Sequence, residues 1–268
     1  MNRLEKRMVD ALNDLRENHY VIAVKAEFEA EGTRLEEALR LKEVVSKAGL
    51  DLTIKIGGCE AVRDIYEARV IGVTTLVAPM IESPYALTKY ISAVNKAVSA
   101  DEEMSYQINI ETIGGFNNLD VMLELPEISY LEGIVVGRGD MACSIGLTRD
   151  DINSDMIFDI TKQICLKAKQ RQLKCTIGGG VSAETLPFIE KMPKRTIDRY
   201  ETRKVIFNVP DEIGEKEAKG ILKAVGFEMM WLKNKRDYYG MIFNEDQIRL
   251  QTLSNRYEAS IEAAGGRF

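Results

Sequence analysis

Two short β-branched runs in the middle of the chain each finish on a carboxylate. One is Gln107-Ile108-Asn109-Ile110-Glu111, and the other runs Ile134-Val135-Val136 through Gly137-Arg138-Gly139 to Asp140. A segment of helix length separates them, so the pair reads as strand, helix, strand with an acid at each carboxyl end. Side chains alternate along a strand, which places Asn109 with Glu111 on one face and, by the same parity, Arg138 with Asp140. Two hard oxygen donors on adjacent parallel strands suit Mg²⁺ or Mn²⁺, with water and substrate completing the shell. Taken singly, each acid has a competing role as a helix cap or as the partner of a nearby base.

The cations beside these acids point to an anionic ligand. Lys55 lies near the end of the run Asp51–Gly57, and Lys55 with Arg138 would suit a substrate carboxylate or phosphate held next to a metal. The competing role for Lys55 is a salt bridge to Glu27 or Glu29. Gly57-Gly58 and Gly178-Gly179-Gly180 each join a strand to a helix start, where free N–H groups attract anions and where glycine also permits a tight turn. The triple run, with Gly179 at its centre, is expected to bind an anion or to allow close backbone approach. A single histidine, His19, precedes the first strand and is expected to be exposed or capping, which removes Ser-His-Asp hydrolysis and histidine-rich zinc sites from consideration.

The elements that must carry these residues alternate regularly. An amphipathic helix over 3–17 puts Leu4, Met8, Leu12 and Leu15 on one face. Strands are expected at 20–29, 51–57, 73–80, 106–111, 133–140 and 173–180, each followed by a helical pattern, with Thr33 and Ser182 as caps and Ser83-Pro84 opening another helix. A seventh strand is assigned to the run from Arg199 to Val209. The eighth stave is either missed, supplied by an irregular segment near 195–200, or absent. Strands this apolar, interleaved with helices, form a parallel sheet covered by helices. A closed (β/α)8 barrel of the TIM type is preferred over an open sheet, because Lys25, Glu27, Lys55, Glu82, Asn109, Glu111, Arg138 and Asp140 all fall at or just past strand ends. The expected organisation is one barrel domain: an N-terminal helix over 1–19, the barrel core over 20–210, and C-terminal helices over 211–268. Met229, Met230 and Trp231 are core or subunit interface in that reading, and a homo-oligomer is expected.

The totals limit the partners. The 268 residues carry 36 Lys and Arg against 42 Asp and Glu, a net charge of −6, which argues against nucleic acid or an anionic membrane surface. Four cysteines without CxxC spacing fit a reduced, cytoplasmic setting. The charged, helix-periodic N-terminus is no signal peptide, and no apolar run has membrane-spanning length.

The runs from Ile108 to Asp120 and from Glu132 to Leu147 resemble the metal-binding half of the HpcH/HpaI aldolase and citrate lyase β-subunit superfamily, and Leu76–Ser83 resembles its preceding strand. The segments agree in order and spacing from about Ala23 to Leu147, and similarity beyond is weaker. The resemblance implies a barrel acting on pyruvate- or phosphoenolpyruvate-type substrates, with Glu111 and Asp140 holding Mg²⁺ or Mn²⁺. Asn109 stands where the aldolases usually carry glutamine, and Gly137-Arg138-Gly139 replaces a Gly-Pro-small turn whose N–H groups bind the substrate carboxylate. Lys55 stands where the family has an arginine, and a lysine supplies charge without the planar fork. The largest departure is Ala30, which follows Glu29 where the aldolases have a histidine that moves protons. The base would then be Glu29 or Glu82. The function implied is a divalent-metal carbon–carbon lyase or aldolase on a 2-oxo acid. Two alternatives are a citrate-lyase-like enzyme acting on acyl-CoA and a non-catalytic barrel that binds an acidic metabolite or a partner protein.

Overall fold

Eight strands close on themselves in sequence order in the computed structural model, which describes residues 1–266. After α1 (Arg3–Asn18) come β1 (Val21–Glu27), α2 (Leu35–Lys47), β2 (Asp51–Lys55), α3 (Val62–Ile71), β3 (Thr75–Ala78), α4 (Pro84–Ala97) and β4 (Ser105–Ile110). Two short helices, α5 (Ile113–Asn117) and α6 (Leu119–Leu123), lead to β5 (Gly133–Gly137), α7 (Arg138–Ser144), α8 (Asp155–Gln170), β6 (Lys174–Gly178) and α9 (Leu186–Lys191). The barrel ends with β7 (Arg199–Glu201) and β8 (Val205–Asn208), and α10 (Glu215–Ala263) follows.

Neighbouring strands from β1 to β7 pair parallel, as covered strands joined by helices must. The last stave differs. β8 is antiparallel to both β7 and β1, so the expected single strand from Arg199 to Val209 is two strands joined by a hairpin. The turn is closed by the Thr202 N–H donating to Val205 O at 2.9 Å, and antiparallel strands need no crossover helix. Tyr200 and Phe207 stack across the hairpin with ring centroids 4.8 Å apart. Reversal brings the residues that join β7 to β8 to the carboxyl rim.

The helices bury the faces their periodicity marks out. Met8, Leu12 and Leu15 of α1 have no exposed surface, and Ser83 caps α4 with Pro84 in its first turn. The cap of α2 is Arg34 rather than the expected Thr33, with Glu37 accepting from the Arg34 N–H at 3.2 Å. The segment between β4 and β5 is no continuous helix: Thr112 caps α5, α6 follows, and Pro126 opens a 3₁₀ turn. His19 ends α1 and is buried, its Nδ1 2.9 Å from Lys216 O.

Two helices were expected after residue 211, and there is one. No proline interrupts Glu215–Ala263, and Gly240 alone does not break a helix. The described chain forms two compact units, Met1–Glu228 and Met229–Phe268. The first holds the barrel together with Ile221, Ala224 and Phe227 of α10, all buried. The second is the remainder of that helix. No helix among the described residues is long and apolar enough to cross a membrane.

Candidate active site at the carboxyl rim

β4 delivers Asn109 and Glu111 to the rim as strand parity requires. Glu111 is almost fully buried, and its carboxylate collects three donors: the Met80 N–H at 3.0 Å, Asn109 Nδ2 at 2.7 Å and Lys55 Nζ at 3.3 Å. Lys55, at the end of β2, also lies 3.0 Å from Glu29 Oε2 in the loop after β1. The contact is an ion pair, so Glu29 Oε2 faces the Lys55 ammonium. Asn109 Oδ1, by contrast, is buried with no hydrogen-bond partner. Burial works against the charge on Lys55, but Glu111, Glu29 and Glu27 outweigh it and raise its pKa.

Backbone geometry fixes Glu111. A Cβ on Gly137, across on β5, would meet Glu111 Cβ at 2.6 Å, so only glycine leaves room for this side chain. Met80 has φ 49°, a left-handed conformation rare outside glycine, and it is this turn that aims the Met80 N–H at Glu111. No feature of the sequence marked Met80 as a site residue, since methionine carries no signature of positive φ.

At β5 the parity argument fails. The strand stops at Gly137 and Arg138 opens α7, so residues two apart are separated by about 200° rather than aligned. Arg138 turns inward and has no exposed surface, while the Asp140 side chain is 44 % exposed with Arg149 Nη2 3.9 Å away. The Arg138 guanidinium is engaged by acceptors from two loops. It donates to Gly178 O (3.1 Å), Gly179 O (3.3 Å), Ile152 O (3.3 Å) and Asn153 Oδ1 (2.8 Å), and it lies 4.8 Å from the Phe188 ring centre. Burial lowers its pKa to about 10. Arg138 therefore does not stand beside Asp140 facing a ligand; it ties the loop after β6 to the start of α7. Gly179 serves the same junction, where a Cβ would lie 2.5 Å from the Gly139 nitrogen. The glycine run supplies close backbone approach there.

Glu82 is also drawn into local structure. Its carboxylate accepts a short hydrogen bond from the Thr112 hydroxyl, and its backbone carbonyl accepts from Asn118 Nδ2 at 2.8 Å. Glu82 thus braces the start of α5, next in sequence to Glu111.

A second polar cluster occupies the opposite arc of the rim. Lys25 of β1 lies 3.2 Å from Glu27 and makes a short bond to Glu201 at the end of β7. Lys204, in the hairpin, pairs with Glu31, and Arg203 lies 3.3 Å from Glu31 and 4.0 Å from Glu27. Burial opposes the charge on Lys25, yet Glu201 and Glu27 hold its pKa well above the ordinary lysine range. Burial likewise works against the carboxylate of Glu27, but Lys25, Lys55 and Arg203 keep its pKa low. Lys204 goes the other way: burial lowers its pKa despite Glu31. Glu201 and Lys204 escaped sequence reading because their partners lie more than 170 residues away.

Two acids, Glu29 and Glu111, thus share the buried cation Lys55, the buried Asn109 Oδ1 beside them lacks a donor, and Asp140 lies 3.9 Å from Arg149. Among the described residues no three His, Cys, Asp or Glu side chains gather closely enough to hold a metal ion. Glu111 and Asp140 carry oxygens of the hard type a divalent ion prefers, with the Asn109 Oδ1 acceptor beside the former. Both Glu111 oxygens already accept hydrogen bonds, so an ion bound there would compete with Lys55 and Asn109 for Oε2.

The fold is similar to that of solved structures. The barrel fold is that of the HpcH/HpaI aldolase and citrate lyase proteins. A member of that family from Burkholderia cenocepacia matches with a TM-score of 0.56 at 15% identity, over 71% of this chain and 89% of the other. An HpcH/HpaI aldolase from Desulfitobacterium hafniense matches with 0.57 at 11% identity, over 72% and 80%. RipC from Yersinia pestis matches with 0.50 at 15% identity, over 78% and 88%. The sequence itself matches no family model and no curated protein. In this chain, Ile108–Asp120 and Glu132–Leu147 comprise the end of β4, β5 and the short helices that follow them.

Proposed function

We propose that the rim between β1 and β5 forms or breaks a carbon–carbon bond in a 2-oxo acid of the pyruvate or phosphoenolpyruvate type, with Mg²⁺ or Mn²⁺ held by Glu111 and Asp140. The observation that carries the reading is the buried, unpartnered Asn109 Oδ1 beside a buried Lys55 that is divided between Glu111 and Glu29. An unpartnered atom of this kind costs about 1–3 kcal/mol unless a ligand satisfies it. A ligand that donates to Asn109 and accepts from Lys55 would meet both groups at once.

A bound divalent ion supplies Lewis acidity at a carbonyl oxygen. Lys55 stays protonated at neutral pH, because its acidic neighbours raise its pKa, and donates to the substrate's carboxylate or keto oxygen. Asn109 Oδ1 accepts from a substrate hydroxyl or a water. Glu29 Oε2, one residue before Ala30, takes the proton that a histidine would take in the aldolases. Arg138 positions the loop after β6 and touches no reacting atom.

The test is turnover of hydroxy-oxo acids together with thermal unfolding in Mg²⁺ and oxalate. Wild-type protein is expected to lose activity in EDTA, to regain it with Mg²⁺, and to melt higher with ion and oxalate together. Glu111→Gln should lower kcat/KM at least about 100-fold, the scale of losing one electrostatic element of a site. Full activity in that variant would refute the reading. A second reading, a barrel that binds an acidic metabolite without turnover, is favoured by Ala30 and by the engagement of Lys55 with two acids. It expects oxalate to raise the melting temperature equally with and without metal.

A further inference from the structure

The second compact unit is a helix that, apart from buried Trp231, exposes many large apolar side chains. Met229, Leu232, Phe243, Leu250 and Leu253 are each more than half exposed, where a helix in a folded protein normally buries such a stripe. Their numbers follow a rule. From Met229 the steps alternate three and four: Leu232, Arg236, Tyr239, Phe243, Asp246, Leu250, Leu253. That is the heptad spacing of a two-stranded coiled-coil seam, kept over about 37 Å at 1.5 Å per residue. Only two of its positions are charged, Arg236 and Asp246, and their charges are opposite.

The two charges select the partner and its direction. In a parallel pair of identical helices each seam residue faces its own copy, so arginine would meet arginine and aspartate would meet aspartate. In an antiparallel pair the first residue of each heptad faces the fourth residue of one on the other chain. In one register Arg236 faces Asp246, and there every other seam residue finds an apolar one: Met229 faces Leu253, Leu232 faces Leu250, and Tyr239 faces Phe243. A shift of one heptad either way sets a charge against an apolar or aromatic side chain. The same register brings Gly240 opposite its own copy near the two-fold axis, where a small residue allows close approach, and sets Glu228 across from Arg256. It also sets Lys235 across from Arg249, a flanking pair that opposes association less because it lies outside the seam.

We propose that the segment Met229–Leu253 pairs antiparallel with the same segment of a second copy of this chain, with two Arg236–Asp246 contacts per dimer fixing its register. The inference is independent of the chemistry assigned to the barrel rim. In solution the arrangement is a two-fold dimer whose contact patch is self-complementary.

Sedimentation of the full chain, with circular dichroism to verify folding, tests it. The wild-type chain is expected to be dimeric at micromolar concentration. Arg236→Asp sets aspartate against Asp246 twice per dimer and should raise the dissociation constant roughly 10-fold or more, as should Asp246→Arg. The double variant R236D/D246R restores opposite charges and should return it to near the wild-type value. A monomeric wild-type chain overturns the proposal and leaves the stripe to a different protein. A dimer indifferent to both single variants also overturns it, because a parallel pair merely exchanges one like-charge contact for another, and an interface elsewhere does not sense these residues. Both residues are exposed, and any variant that loses helicity is replaced by Phe243→Lys, which should abolish the dimer.

Discussion

The two arcs of the carboxyl rim hold similar residues in opposite states. On the β7–β8–β1 arc, Lys25, Arg203 and Lys204 meet Glu27, Glu31 and Glu201, three cations against three acids in mutual contact. On the β2–β5 arc, Lys55 serves both Glu29 and Glu111, Asp140 lies 3.9 Å from exposed Arg149, and the buried Asn109 Oδ1 lacks a donor. Buried charge is tolerable when paired and costly when not, so the first arc is balanced within itself, while the second divides one cation between two acids and is the arc to which the proposed ligand is assigned.

The strongest way to break this contrast is to remove the hub of the balanced arc. Lys25→Met leaves Glu27 and Glu201 buried without their cation and should destabilise the barrel by about 3–5 kcal/mol in urea unfolding. Glu111→Gln on the open arc keeps one acceptor oxygen, loses the other to an NH2 group, and leaves Lys55 its contact with Glu29, so it should cost about 1–3 kcal/mol, less than Lys25→Met. Equal losses would erase the distinction.

A pH series sharpens it with a reference at the opposite end of the barrel. Glu132 lies among Arg199, Lys174 and Gln107, with contacts of 3.0, 2.8 and 2.7 Å. Burial works against its ionised form, but these donors hold its pKa down to about 2 from an ordinary 4.5. Its folded pKa is depressed, so its contribution is fully present above pH 4.5 and is lost as the pH falls toward 2. About 3 kcal/mol follows from about 1.4 kcal/mol per unit. The stability gap between wild type and Glu132→Gln, measured by urea unfolding, should be near its maximum at pH 6 and shrink steadily between pH 4.5 and 2.

Gly137→Ala probes the open arc by crowding. The new methyl would press on Glu111, costing about 1–3 kcal/mol, and should abolish the rise in melting temperature with Mg²⁺ and oxalate. The smallest expected effect is at Met80. Glycine relieves its left-handed strain but adds freedom to the unfolded chain, so Met80→Gly should change stability by no more than about 1 kcal/mol. Ligand response is then the informative readout, since the Met80 N–H holds Glu111 in place.

Sequence pattern revealed the barrel where local rules act alone. Period-two runs gave β1 to β6, and Ser83-Pro84 marked the start of α4. Parity placed Asn109 and Glu111 together because β4 stays extended to the rim. It misplaced Arg138 relative to Asp140 because the chain turns helical one residue earlier than a strand would need, and Gly-Arg-Gly leaves that choice to tertiary contacts. The hairpin of β7 and β8 was hidden because Arg199–Val209 carries no glycine or proline to mark its turn. The pairing of Lys55 with Glu29 was among the roles its position allowed. The pairing of Lys25 with Glu201 was invisible, for it depends on closing the barrel.

The reversed stave constrains how this rim can vary. The link Thr202–Lys204 is held at both ends by staves, so adding or deleting residues there would slide β8 against β1 and disturb closure of the cylinder. Loops on the other arc each run from a stave into a helix on the outside and can lengthen without moving any register. Divergence in ligand preference among relatives with this reversed stave should therefore collect in the loops after β1 to β5, leaving the hairpin tip of constant length.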